Sequence, residues 1–424
     1  MTGFGRRIRT TSLAILAASA LALTGCSSDS ANRDTGNGAP IDSGITARFD
    51  EAINRAMQYS GSDSAIIGVW SGDTEYVAAY GDGAKADAAI RGAQTTQPML
   101  CALLLDLAAD NRVSLDRKVS EDLPRQVGIE NVSYGQLCNG TSGLADFKSR
   151  LADIFVNNPA RPWSDRELFA QGLAASPLSW PGLDVHVSDT PALLLARALP
   201  VVTNTPLSDL LRTRVLDPIG IAATTSFPAD TLSTAAPSTM LSGLSYPSSG
   251  GAPVCGADPV RIDKVSPSML GGAGAMTTSV RDLRTFYTAY LDGRYGTDSK
   301  ALITQTAPTT NPERDAAGTA TTEVVANGSM QQWGFGVERV GPLYGMSGSI
   351  TGTLTASYTD PESKFTVVVV LNNSSAGASF VHHLAMEIAA IASESGIGPA
   401  GLAWTAADRS AALAASAICQ PAAG

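Results

Sequence analysis

The chain has 424 residues, 44% of them hydrophobic and 16% charged, enough to bury a large core. Its 29 Lys and Arg against 39 Asp and Glu leave a formal net charge of −10. No basic patch lies outside the extreme N-terminus, so nucleic acid is excluded as a partner.

Taken in chain order, Arg6, Arg7 and Arg9 precede an apolar run, Ser12–Leu23, that is short for a bilayer span and reads as a secretory signal. Leu23-Thr24-Gly25-Cys26 resembles the bacterial lipoprotein box. That resemblance implies cleavage of residues 1–25, lipidation of Cys26, and export to the outer face of the bacterial cell membrane. An ordinary signal peptide with a chance cysteine is the alternative. Residues 26–45 carry almost no large apolar groups and read as a flexible tether with a reach of roughly 25 Å.

Thr46–Tyr59 has the spacing of an amphipathic helix, with Phe49, Ile53 and Met57 on one face. Ser64–Gly72 and Thr74–Gly81 read as strands joined by a tight turn at Gly72-Asp73. The chain is organised around the stretch Arg91–Asp116. From Met99 it predicts a buried helix, striped by Met99, Leu103, Leu107 and Val113. Gln94, Thr95, Thr96 and Gln97 crowd uncharged polar groups at its start, where free N–H groups and a positive dipole end favour a nucleophile or an anion. Residues 229–260 read as a long loop region, with Cys255 as a possible staple. Trp333–Val340, Leu343–Lys364 and Phe365–Asn373 read as strands, and Phe380–Ser393 as a closing helix.

Several of these words resemble one family. RGAQTTQ at 91–97, followed by the helix and NRVSLDRKVSEDLP at 111–124, is similar to the segment around the catalytic serine of class C β-lactamases, penicillin-binding esterases and D-Ala-D-Ala carboxypeptidases. Gly140-Thr141-Ser142-Gly143-Leu144, Pro181–Leu199, Leu210–Phe227, Gly271–Leu291 and the C-terminal strand words follow in the family's order. The resemblance covers residues 46–395 and implies an α/β (α+β) architecture, the β-lactamase/penicillin-binding transpeptidase-like fold. In it an antiparallel sheet is flanked by both terminal helices, a helical region (about 92–290) is inserted, and 396–424 remain as a C-terminal tail.

The chemistry of that family needs a serine, a lysine three residues on as its base, a Tyr-x-Asn loop, and an H-x-G or K-T-G strand. The N–H of that strand completes an oxyanion hole with the N–H of the serine. Here the resemblance places Gln94 at the serine and Gln97 at the lysine. Val187 and Asp189 stand for Tyr and Asn, and Met346-Ser347-Gly348 for H-x-G. An amide is neither a useful nucleophile nor a base. None of the six lysines follows a serine at the required spacing, so Ser-x-x-Lys is absent from the sequence. Thr95 and Thr96 face differently from Gln94 at about 100° per residue. Reading the tract one residue out of step would put Ser188 in the proton-relay seat. The candidate ligand-cleft residues are therefore Gln94, Gln97, Asp189, Ser347, Gly348 and Ser349, with no catalytic residue assigned.

Four cysteines remain beyond Cys26, and four allow three pairings. In the implied fold the segment around Cys138 packs beside the central helix. The placement of Cys101 resembles that of some class A β-lactamases, where a cysteine seven after the serine bridges to this neighbour. The resemblance thus implies Cys101–Cys138, which leaves Cys255–Cys419. No spacing suggests a metal site or a cofactor. His383 and Glu387, four apart, could make half a metal site but read as a solvated helix face, and His186, which could line the cleft, falls by alternation with Ser188 opposite Val187. The reading is a membrane-anchored, monomeric, non-catalytic envelope protein that binds a peptidoglycan fragment, another peptidyl or acyl ligand, or an envelope protein. The alternatives are an active serine hydrolase with a rewired site, or a structural partner whose cleft is filled by its own side chains.

Overall fold

The computed structural model describes residues 1–3, 32–34, 36–326 and 328–420. The signal segment and Cys26 lie outside the described residues. The chain divides after Ser30, and the fold and the cleft belong to the second unit, Ala31–Gly424.

Helix α1 (Ser43–Ser60) begins where Asp42 Oδ1 accepts the Gly44 N–H at 2.8 Å, and it ends at Gly61 in the left-handed region. Strands β1 (Ala65–Ser71) and β2 (Thr74–Tyr80) form the predicted hairpin. Three helices of the inserted region matter for the site: α2 (Gln97–Ala109), the short α3 (Tyr134–Cys138) and α4 (Thr190–Thr203). The α5 helix (Val280–Leu291) closes that region. The chain then returns to the sheet through β3 (Glu338–Val340), β4 (Leu343–Ile350), β5 (Thr353–Asp360) and β6 (Phe365–Leu371). It ends with α6 (Gly377–Glu394) and α7 (Ala406–Ala415).

The main sheet runs β2-β1-β6-β5-β4-β3 with every one of these pairs antiparallel. N- and C-terminal strands meet at β1 and β6, where Val69 lies opposite Val367. The run Phe365–Leu371 is apolar throughout because β6 is buried on both faces. On one side Ala65, Ile67, Val367 and Val369 share a core with Phe49 and Ile53 of α1 and Phe380 and Leu384 of α6. On the other, Ile66, Trp70, Val368 and Val370 share a core with Leu103, Leu194 and Phe286. The α2 helix is buried most of the way round, as its sequence predicts.

Both expected bridges are formed. Cys101 of α2 joins Cys138 of α3 with Cα atoms 5.8 Å apart, and Cys255 joins Cys419 at 4.8 Å.

Three expectations need correction. Part of the tether is sheet: Asn32–Asp34 pairs antiparallel along the edge of β2, Ala39–Pro40 pairs parallel to it, and Arg281 holds Asp34 at 2.8 Å. An open strand edge offers backbone N–H and C=O groups to any extended segment, so apolar content was the wrong signal there. The tail is a packed helix: Thr405 and Asp408 cap α7 reciprocally, Leu413 is buried, and Trp404 Nε1 donates to Met386 O at 3.1 Å. Val113 is buried but lies past the end of α2, which stops at Ala109.

Candidate functional site

The chain enters the site through a tight 3₁₀ turn, Ala93–Thr96, that leads directly into α2. Ala93 sits at φ 47°, in the left-handed region an alanine adopts at a cost of order 1–3 kcal/mol. Tyr287 of α5 donates to Thr95 O at 2.9 Å, and Thr355 Oγ1 donates to Arg91 O at 3.2 Å, so helix and sheet both brace the turn. Thr95 and Thr96 turn their hydroxyls back onto Gly92 O and Ala93 O at 2.6 and 2.8 Å. The side chain that projects from the turn is that of Gln94.

Asp189 meets it from the start of α4. Gln94 Nε2 donates to Asp189 Oδ2 at 2.7 Å, and Gln97 Nε2 donates to Oδ1 at 2.6 Å and to Ala273 O at 3.1 Å. Gln94, Gln97 and Asp189 are 5%, 8% and 3% exposed, so these bonds are shielded from water. Lys148 supplies a third donor, its Nζ lying 2.7 Å from Asp189 Oδ2. Thr190 brings that lysine in: its hydroxyl donates to Ala145 O at 2.6 Å and accepts the Phe147 N–H at 3.2 Å. Burial opposes the charge of Lys148, but Asp189 and Asp146 outweigh it and hold the ammonium above its ordinary pKa. Burial and the charge of Asp189 push the Asp146 carboxyl up.

The facing wall is β4. Ser349 donates its backbone N–H to Gln94 Oε1 at 2.8 Å. A Cβ on Gly348 would stand 2.5 Å from Gln94 N and 2.6 Å from Oε1, so only glycine allows this approach. Ser347, on the same strand, lines the cleft. Glu338 accepts the Tyr358 hydroxyl, which also meets His382 Nδ1 at 2.8 Å. The structure brings Gln94, Gln97, Asp189, Gly348 and Ser349 into one network of contacts, with Ser347 beside them on β4.

Gln94, Asp189 and Ser347 border an open cleft of about 510 Å³, whereas Gln97 lines a small separate pocket and Gly348 and Ser349 lie against Gln94 without lining the cleft. Met346, Val340 and Trp333 line it, with Val187 and Met330 at its edge, each 56% exposed. Its far end is polar, made by His382, His383 and Arg409. His186 lies elsewhere, 2.8 Å from Asp184 beside a small separate pocket that Ser188 also lines. The solvated face expected at His383 and Glu387 is corrected: Glu387 is buried and paired with Arg55, and His383 lines the cleft. The crossing of α1 and α7 over α6 covers that face, a packing the sequence of α6 does not encode. Lys148, Asp146, Glu338, Tyr358, His382 and Arg409 were not singled out as site residues. A signal existed for one pair, since Asp146 and Lys148 directly follow the Gly140–Leu144 word. Among the described residues no group of three or more His, Cys, Asp and Glu side chains is placed to hold a metal.

Fold and cleft define a class: the chain belongs to the Beta-lactamase family, whose model matches residues 49–391. Solved structures with the same fold include a D-stereospecific amidohydrolase from Streptomyces sp. It is 22% identical with a TM-score of 0.66, over 80% of this chain and 97% of that one. The D-amino acid amidase from Ochrobactrum anthropi SV3 matches at 20% identity and TM-score 0.62, over 78% and 93%. The octameric penicillin-binding protein homologue from Pyrococcus abyssi matches at 17% and 0.64, over 84% and 78%.

Proposed function

We propose that this protein is a non-catalytic member of its family that binds a peptidyl, cell-wall-derived ligand in the cleft, held at the cell membrane through lipidated Cys26. The observation that carries the reading is Gln94. Its carboxamide oxygen takes the Ser349 N–H, the strand donor that a substrate carbonyl would use in an active relative, and its NH₂ is spent on Asp189. Gln97 is likewise committed to Asp189 and Ala273. The rewired-hydrolase reading would draw on Lys148, the lysine that pairs with Asp189. Two acidic neighbours keep that lysine protonated, which removes it as a base. Two of the structural neighbours are named for D-stereospecific and D-amino acid amide chemistry, which supports a peptidyl ligand here.

Equilibrium dialysis of the purified protein against N-acetyl-D-alanyl-D-alanine, with mass analysis of the recovered peptide, tests the reading. The expected result is saturable binding and unchanged peptide. Hydrolysis would overturn the non-catalytic part, and absence of binding would overturn the ligand. For the anchor, Cys26→Ala is expected to move the protein out of the membrane fraction, and a variant as membrane-bound as the parent would refute it.

A further inference from the structure

A second cavity, of about 580 Å³, shares Trp333 with the cleft. Buried Trp333, Phe335 and Val185 give it an apolar floor. Its polar lining comes from two segments that contribute nothing to the cleft. The α3 segment brings Gln136, Asn139 and Thr141, and residues 302–307 bring Gln305 and Thr306.

The two amides of the α3 segment are held in fixed orientation. Gln136 Oε1 accepts the Ser133 N–H at 2.9 Å, and Asn139 Oδ1 accepts the N–H and the hydroxyl of Thr141 at 3.0 and 2.7 Å. Both NH₂ groups are left without a partner among the described residues. Gln305 engages neither end of its carboxamide there. Thr306 donates to Gln332 Oε1 at 2.6 Å, so its oxygen is left to accept.

Of the described side chains that line this cavity, Asp116 alone is ionisable, and it is exposed. The cleft on the other side of Trp333 instead carries Lys148, Asp146, Asp189, His383 and Arg409. A charged ligand would give up hydration in the second cavity and find no cation to pair with. Carboxamides and threonines that are only partly used match groups that donate and accept at once, which is what sugar hydroxyls do. The apolar floor suits the C–H face of a ring, and the few oriented polar groups would fix its position.

We propose that this second cavity is a subsite for a neutral saccharide, which places a sugar of the cell-wall-derived ligand beside its peptidyl part in the cleft. That pairing of sugar with peptide rests on the binding reading above.

The test is calorimetric titration with tri-N-acetylchitotriose, alone and with saturating N-acetyl-D-alanyl-D-alanine. It is run on the parent, Gln305→Ala and Asn139→Asp, with thermal midpoints as a control of folding. Gln305→Ala trims an exposed side chain that bonds nothing among the described residues. Asn139→Asp keeps the acceptor for Thr141 and removes the NH₂ group. The parent is expected to bind the trisaccharide equally well with and without the dipeptide. Each variant is expected to bind it about three- to tenfold more weakly, with dipeptide binding unchanged. Failure of the trisaccharide to bind overturns the subsite, and dipeptide binding by the same protein then leaves the reading of the cleft standing. Displacement of the trisaccharide by the dipeptide moves the sugar into the cleft and overturns the subsite, as does unchanged affinity in both variants. Trisaccharide binding without dipeptide binding keeps the subsite and overturns the peptidyl ligand.

Discussion

Gln94 Oε1 accepts the backbone N–H of Ser349 at 2.8 Å, so the protein's own side chain occupies the donor on β4. Replacing Gln94 alone is expected not to create a hydrolase, because Gln97 and Asp189 beside it supply no base for a new serine. In Gln94→Ser/Gln97→Lys, the new ammonium would lie where Gln97 Nε2 now lies, 2.6 Å from Asp189 Oδ1. An opposite charge at that distance holds a lysine protonated, and a protonated lysine cannot activate the introduced serine. Nitrocefin turnover by this variant is expected to remain at the parent's background. A burst or sustained turnover would show that Asp189 does not have this effect.

The bridge between α2 and α3 closes a loop of sequence separation 37 behind the site. In the chain-entropy account such a loop contributes about 3–4 kcal/mol through the unfolded state. Cys101→Ala/Cys138→Ala is therefore expected to lower urea stability by up to about that amount. Trp333 Nε1 still donates to Cys138 O, a backbone contact the substitution keeps, so the cleft wall is expected to survive. Ligand affinity in the double variant, measured below its unfolding transition, checks the second half.

How much of this was legible in the sequence follows from what each feature depends on. The buried α2 helix, the β1–β2 hairpin and the apolar β6 were readable because burial writes itself as a local apolar run or pattern. The site residues Gln94, Gln97, Asp189 and Gly348 were readable by a different route, the order and spacing of family words around them. Lys148 and Arg409 were not. Their positions are set by the Thr190 clip and by the packing of α7 on α6, contacts between segments distant in sequence. The edge strand at Asn32–Asp34 escaped for a related reason, being held by backbone pairing and an ion pair rather than by apolar side chains.

His383 predicts a dependence of stability on pH. Burial first, then His382 and Arg409, lower its pKa from 6.5 to about 4. Between those values the unfolded chain binds a proton that the folded protein refuses, so this contribution to stability falls as pH drops through that window. It is fully present above pH 6.5 and fully lost below about pH 4. Urea midpoints measured across the window are expected to slope less in His383→Gln than in the parent. Identical slopes would remove His383 from the acid sensitivity of the fold.

The most direct measurement is the intact mass of the protein after incubation with a fluorescent penicillin and with a fluorophosphonate. With Gln94 in place of a nucleophile and its amide bonded to Asp189 and Ser349, the mass is predicted to be unchanged with either probe. A stoichiometric adduct on any residue lining the cleft would contradict the account.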